Sequence, residues 1–305
     1  MRIWLDTDIG TDVDDALALA YVLRHPGLEL VGVSTVFGDM PLRVEIVEAL
    51  LALADVDPLP VLPGMGVPLT DRRHGIMFGH EGRGLVDHPD PTLRVREEQG
   101  ADDRIAVLAD ALADTGPDMV LAIGPMTNLG ALAASGVALP PLTVMGGKFE
   151  EVMLPGMVAD VVEWNWHCDP LAVQHVLAAQ HPLDVTIVPA EVTFRTGLEA
   201  ADIDRLSQGD TLQRALAVLC RHWLTTQAEQ FAIEHPVIAL HDPLTAAILV
   251  EPDLCTYRPR RIEVDDRGAT TEVEGAPNIR AATGVDAEAT RRLIMDTLTG
   301  GAGGR

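Results

Sequence analysis

Two hydrophobic periods share this chain. Residues 2–8 form an apolar run closed by acids and predict a strand, and 13–25 carry helix formers up to Pro26-Gly27. Leu28 to Val36 is β-rich, 41–54 is helical in pattern, and Leu59 to Leu62 is a short strand stopped by Pro63-Gly64. The β-α-β-α-β order predicts a parallel, wound sheet. The pattern then predicts a helix over 102–114, an apolar strand at Met119 to Ile123, a helix after Leu129, and a strand at Leu142 to Met145. Further on it predicts a helix from Asp169-Pro170 to about 179, a strand at Val185 to Val188, and helices over 198–206, 210–230 and 240–250. Leu254 to Val264 and Ala269 to Val273 are expected to pair as strands before a last helix over 286–298. The fold class is therefore α/β: a single large domain, residues 1–299, with a mostly parallel wound sheet flanked by helices and a flexible Gly-rich tail at 300–305. Open sheets of this kind bind ligands beyond the carboxyl ends of their strands, so Asp8, Asp39, Thr127 and Met145 are expected along one edge.

Two stretches break the periodicity. Residues 64–100 are rich in glycine and charge, and Gly79-His80-Glu81-Gly82-Arg83-Gly84 within them suits equally a site wall or an exposed loop. Residues 148–167 include Trp164-Asn165-Trp166-His167, two of the chain's four tryptophans. Aromatic rings beside an amide suit a sugar or a planar base, and suit a core equally well.

Composition narrows the function. The chain has 305 residues, 47% apolar and 22% charged, enough for a substantial core. A net charge of −24 repels phosphate and argues against nucleic-acid binding. The three cysteines, Cys168, Cys220 and Cys255, include no C-x-x-C pair, so a disulfide framework is not expected. The first residues form no signal peptide and no run is long enough to span a bilayer, so a cytoplasmic protein without a membrane partner is expected.

The chemistry concentrates in Asp6-Thr7-Asp8-Ile9-Gly10-Thr11-Asp12-Val13-Asp14-Asp15, five aspartates in ten residues between a strand and a helix. Such crowding is costly unless a cation neutralises it, and a hard divalent ion with oxygen ligands, Ca²⁺ or Mg²⁺, suits it. Asp12 is placed to cap the helix with Asp15 three residues on, and the helix dipole favours Asp14 and Asp15 in its first turn. His241-Asp242-Pro243 opens a later helix. Asp242 suits a cap there, or a further metal carboxylate beside a titratable histidine.

Taken in order, these pieces resemble the nucleoside hydrolase family, the inosine–uridine-preferring nucleoside N-ribohydrolases. The family's Asp-x-Asp-Pro-Gly loop and Asp-Asp-Ala are similar to Asp6-Thr7-Asp8-Ile9-Gly10 and Asp14-Asp15-Ala16. Its Thr-Val-x-Gly-Asn resembles Thr35-Val36-Phe37-Gly38-Asp39, and its Gly-Pro-x-Thr-Asn-Leu resembles Gly124-Pro125-Met126-Thr127-Asn128-Leu129. Met145-Gly146-Gly147, then Glu163-Trp164-Asn165 with Asp169-Pro170, and His241-Asp242-Pro243 complete the series over nearly the whole chain.

The resemblance implies Ca²⁺-dependent hydrolysis of the N-glycosidic bond of ribonucleosides, releasing ribose and a free base. It implies a calcium ion held by Asp8, Asp15, the Thr127 carbonyl and Asp242, with Asp8 taking the proton of a water at the metal. Asp14, Asn165 and Asp242 would hold the 2′ and 3′ hydroxyls, and Glu163 the 5′ hydroxyl. Met145 would line the sugar pocket, with Asp39 and Trp166 as further substrate contacts. His241 would protonate or orient the leaving base, with His80 as a second leaving-group residue. A homodimer or homotetramer acting on a small-molecule nucleoside is expected.

Three departures bear on this. The loop between Asp8 and Asp14-Asp15 is two residues longer than the common family form, so Asp12 competes with Asp14 for the ribose. Asp39 replaces the usual Asn, and Met157 stands where an Asn usually reaches the 5′ hydroxyl. Two alternatives stay open: a non-catalytic nucleoside or sugar binder on the same fold, and a Mg²⁺-dependent phosphatase of the haloacid dehalogenase type, which also begins strand-Asp-x-Asp.

Overall fold

A computed structural model describes residues 1–71, 73–86, 101–150, 162–179 and 184–300. Met157, residues 87–100 and residues 301–305 of the tail lie outside them. The central sheet has eight strands: β1 (Arg2–Thr7), β2 (Glu29–Thr35), β3 (Val61–Pro63), β4 (Met119–Ala122), β5 (Leu142–Met145), β6 (Val185–Val188), β7 (Cys255–Arg260) and β8 (Ile279–Val285). They lie in the order β3-β2-β1-β4-β5-β6-β8-β7. Every neighbouring pair is parallel except β8 with the edge strand β7. The carboxyl ends of β1, β2, β4 and β5 therefore share one edge, as the strand pattern predicts.

Helices cover both faces: α1 (Asp14–Arg24), α2 (Met40–Leu53), α3 (Ala101–Thr115), α4 (Thr127–Ala134), α5 (Trp164–Cys168), α6 (Pro170–Ala179), α7 (Ala190–Thr193), α8 (Ala200–Ser207), α9 (Thr211–Glu229), α10 (His241–Ala247) and α11 (Ala287–Thr299). Strand alternation divides the core. Ile3 and Leu5 of β1 face α1, α2 and α9 to α11, while Trp4 faces the side built by α3, α4 and α6. Because β1 is covered on both sides, it reads as a continuous apolar run. Trp4 needs room across the strands. It finds it over Gly32 of β2, where an added Cβ would fall 2.1 Å from the indole. The indole nitrogen donates to Ser34 (2.9 Å), which in turn donates to Asp6 (2.5 Å).

One pairing differs from expectation. Leu254 to Val264 is not one strand: Cys255–Arg260 joins the central sheet against β8, and only Ile262–Val264 pairs with Thr270–Glu272. The chain turns between them at Arg261, and β8 itself carries no sequence signal, since Arg280-Ala281-Ala282-Thr283-Gly284 is poor in strand formers. No helix among the described residues is long and apolar enough to cross a membrane.

The close packing of α4 on α6 sets where α4 begins, and so where Thr127 sits. A Cβ on Gly130 would lie 2.5 Å from the Ala172 Cα and Cβ, atoms that cannot swing aside. Gly130→Ala gains up to about 1 kcal/mol of helix propensity, but overpacking costs about 1–3 kcal/mol. The net expectation is a lower denaturant midpoint in equilibrium unfolding, and a raised midpoint would refute the packing argument.

Candidate active site

A cavity of about 400 Å³ opens at the carboxyl edge of the sheet. Its acidic part is built from three elements. Asp8 stands just beyond β1, Asp14 and Asp15 form the first turn of α1, and Asp242 lies in the first turn of α10. All four are 6% exposed or less. Asp12 joins them from the loop. It does not cap α1, because the N-cap position falls to Val13 and no side chain caps there. The helix starts one residue too late for the expected capping pair, and the Asp12 carboxyl hydrogen-bonds Asp14 instead. Oxygens of Asp12, Asp14 and Asp15 lie within 4.8 Å of one another.

Burial and mutual repulsion raise the proton affinity of these groups. Asp8 and Asp14 are raised from 3.8 to about 6, chiefly by burial. Asp12, Asp15 and Asp242 are also raised by burial, with neighbouring carboxylates adding to it. The donors are oxygens only, and Asp14 Oδ1 is buried without a hydrogen-bond partner. An oxygen-only ligand set fits a hard divalent cation, and the unsatisfied Asp14 oxygen is open to a further partner.

The opposing wall carries the sugar-type contacts. Glu163 caps α5 and accepts from the backbone of Asn165, Trp166 and Gly147 at 2.7–3.0 Å. Burial still raises it to about 7. Asn165 donates through Nδ2 to the carbonyls of Ile123 and Met145, which leaves its Oδ1 to receive a hydroxyl. Glu163, Asn165 and Met145 all line the cavity. His241 lines it too. Its Nδ1 is 2.6 Å from the Thr193 hydroxyl, Phe194 packs edge-on at 4.4 Å, and burial lowers its pKa to about 4.

Three expected residues sit elsewhere. Trp166 is fully buried in the core beside Gly146, because its position on α5 points it away from the opening; Trp164, 40% exposed, takes the cavity wall. Asp39 caps α2 by accepting from Leu42 at 3.1 Å and does not line the cavity. Thr127, expected through its backbone carbonyl, opens α4 and is fully buried, its hydroxyl donating to Asp169 at 2.7 Å. His80 lies behind the rim, with Nε2 2.5 Å from the Thr11 carbonyl and its ring stacked on Phe78 and Trp223.

The sequence reading missed several parts. Gly124 leaves room for Asp8, since a Cβ there would fall 2.7 Å from the Asp8 nitrogen and 2.8 Å from its Oδ1. The outer cavity is aromatic, lined by Phe78, Trp164, Trp223 and Phe231, residues scattered too widely in sequence to form a pattern. Gln227 lines the same region, but its amide is committed to both backbone groups of Val237.

The largest omission is Arg43, wholly buried under the acidic loop. Its guanidinium donates to the carbonyls of Phe37 (2.5 Å), Ile9 (2.7 Å) and Asp8, and lies 4.0 Å from the Asp8 carboxylate. A cation near a helix N-terminus opposes the dipole by about 0.3–1 kcal/mol. Charge-assisted hydrogen bonds worth about 1.5–3 kcal/mol each outweigh that. A basic residue just inside an otherwise apolar helix start was the available signal.

The chain matches the model of the inosine-uridine preferring nucleoside hydrolase family over residues 3–292. Uridine nucleosidase 1 of Arabidopsis thaliana is 28% identical over 88% of this chain and 79% of its own. The non-specific ribonucleoside hydrolase RihC of Escherichia coli is 26% identical over 98% of both. Among solved structures, a purine-preferring ribonucleoside hydrolase from Gardnerella vaginalis superposes with a TM-score of 0.79 over 99% of both chains. At 24% identity that is a likeness of fold.

The raised carboxyl groups set a pH dependence. Between the ordinary 3.8 and about 6, Asp8 and Asp14 bind more protons folded than unfolded, so stability falls as pH rises through that window. In chelator, the melting temperature is expected to drop between pH 5 and pH 8, and Asp14→Asn is expected to flatten the drop. A metal-free protein equally stable at both pH values would contradict this.

Proposed function

The chain belongs to the inosine-uridine preferring nucleoside hydrolase family and is a hydrolase of N-glycosyl bonds. From that membership we propose that it cleaves ribonucleosides to ribose and a free base with bound Ca²⁺. The observation that carries this reading is the meeting of Asp8, Asp14, Asp15 and Asp242 at the cavity floor, opposite Glu163 and Asn165 and beneath an aromatic rim. The family match sets aside a haloacid dehalogenase-type phosphatase.

Asp8, Asp12, Asp15 and Asp242 would hold the cation, with the Thr127 carbonyl as the neutral oxygen. When bound, the cation would neutralise the cluster and acidify a neighbouring water. Asp8, buried but tempered by Arg43, accepts the proton of the attacking water. As the glycosidic bond breaks, positive charge develops on the sugar ring, and the surrounding carboxylates stabilise it. Asp14 and Asn165 receive the 2′ and 3′ hydroxyls. Glu163, held by three backbone N–H groups, faces the 5′ side.

The departing base meets Phe78, Trp164, Trp223 and Phe231. With Gln227 committed to Val237, these rings grip the face of the base rather than its edge. Burial lowers the His241 pKa to about 4, which favours orienting the base by hydrogen bonding over delivering a proton from an imidazolium.

The test is a panel of purine, pyrimidine and modified-base ribosides scored for free ribose, with chelator and with Ca²⁺ restored. Ribose release that survives chelation rejects the cation's part, and tight riboside binding without release selects a non-catalytic binder. Asp8→Asn is expected to lower kcat by about 10²–10⁴-fold with an unchanged circular dichroism spectrum; undiminished turnover would remove Asp8 as the base. Asp12→Ala is expected to weaken Ca²⁺ binding in titration calorimetry, and wild-type affinity would return Asp12 to a structural role.

A further inference from the structure

The acidic loop between β1 and α1 is fastened from outside. Arg43 reaches it at three points: the carbonyls of Asp8 and Ile9, the latter at 2.7 Å, and the Thr11 hydroxyl at 3.3 Å. The same guanidinium donates to Phe37 at the end of β2. Phe37 has a φ of 62°, a left-handed conformation that a bulky residue holds only when its surroundings enforce it. One turn along α2, Ile46 receives the loop at Gly10, whose φ is 117° and whose missing Cβ would fall 2.6 Å from the Ile46 methyl. Arg43 and Ile46 thus present one face of α2 on which the loop is seated.

We propose that Arg43 is a positioning residue for the hydrolytic reaction: its guanidinium seats the acidic loop on α2 and so holds Asp8 and Asp12 in place at the cavity floor. The inference rests on the ribosidase reading for its kinetic consequence, but the seating itself is independent of it. Arg43 does not line the cavity and touches no substrate. Its effect passes through the backbone of the residues it grips and, by its charge, through the Asp8 carboxylate 4.0 Å away. A shift of about 1 Å in a reacting group can cost about 100-fold in rate, so loosening this loop acts on the chemical step and not on riboside binding. Arginine suits the task because its planar fork donates to several carbonyls at once, whereas a lysine ammonium keeps the charge without that geometry.

The test uses the full-length protein as wild type, Arg43→Lys and Arg43→Met, with two readouts. Hydrogen–deuterium exchange without substrate or metal is expected to speed up about tenfold at amides 9–13 in both variants, while the central strands stay protected. In riboside hydrolysis with Ca²⁺ present, kcat is expected to fall about 10- to 100-fold with KM within twofold, less in Arg43→Lys than in Arg43→Met. If Arg43→Met does not fold, Arg43→Lys carries the test. Unchanged exchange at 9–13, a wild-type kcat, or a loss confined to KM overturns the proposal. A wild type that cleaves no riboside counts against the reaction alone, and the exchange data still decide whether Arg43 seats the loop.

Discussion

The structure depends on bringing carboxylates together inside a protein. Asp8, Asp14, Asp15 and Asp242 are almost fully buried, and Asp12 leans on them from the loop. Left alone, each raises its neighbours' proton affinity and opposes the fold. The chain has three means of bearing this. Asp14, Asp15 and Asp242 lie in the first turns of α1 and α10, where the helix dipole favours negative charge. Arg43 supplies an internal cation beside Asp8. A bound divalent ion would supply the rest, and that demand for outside charge makes the cluster a functional site instead of a folding defect.

The sheet makes the meeting possible. Because β1, β2, β4 and β5 run in parallel and lie side by side in the order β2-β1-β4-β5, Asp8, Gly38, Gly124 and Met145 come off neighbouring strand ends. Several of these turns carry a glycine where a side chain would collide. Gly124 yields to Asp8, Gly146 to the indole of Trp166, and Gly64 to Asn128, whose amide in turn donates to Asp6 at 2.7 Å. The residues beneath the carboxylates are thus as constrained as the carboxylates themselves. Above them the polarity reverses to aromatic rings, so one cavity offers a charged floor to a sugar cation and an apolar rim to a planar leaving group.

Local signals made the strand and helix order legible in the sequence. Apolar runs ended by glycine or proline gave nearly every strand of the parallel sheet, and the acidic loop named the site. What escaped depends on long-range packing. β8 is built from Ala281, Ala282 and Gly284, which pair because β6 and β7 flank them and not because they favour strands. The tryptophans of α5 were indistinguishable in composition, and only the helix's seating sends Trp164 to the cavity and Trp166 to the core. Asp12 read as a cap because Asp15 follows at capping distance. The helix begins later because Val13 turns the chain first.

Asp12 and Arg43 are best understood together. Asp12 adds to the repulsion at the cavity floor, and the loop that carries it has backbone to order. Arg43 answers both difficulties with one side chain, a positive charge near the cluster and donors for carbonyls that would otherwise be buried without partners. Five carboxylates set against one guanidinium carry the same net charge as four alone. On this account the fifth acid is tolerated because the apolar helix α2 has accepted a buried arginine at its start, and the acid and the arginine form one structural unit.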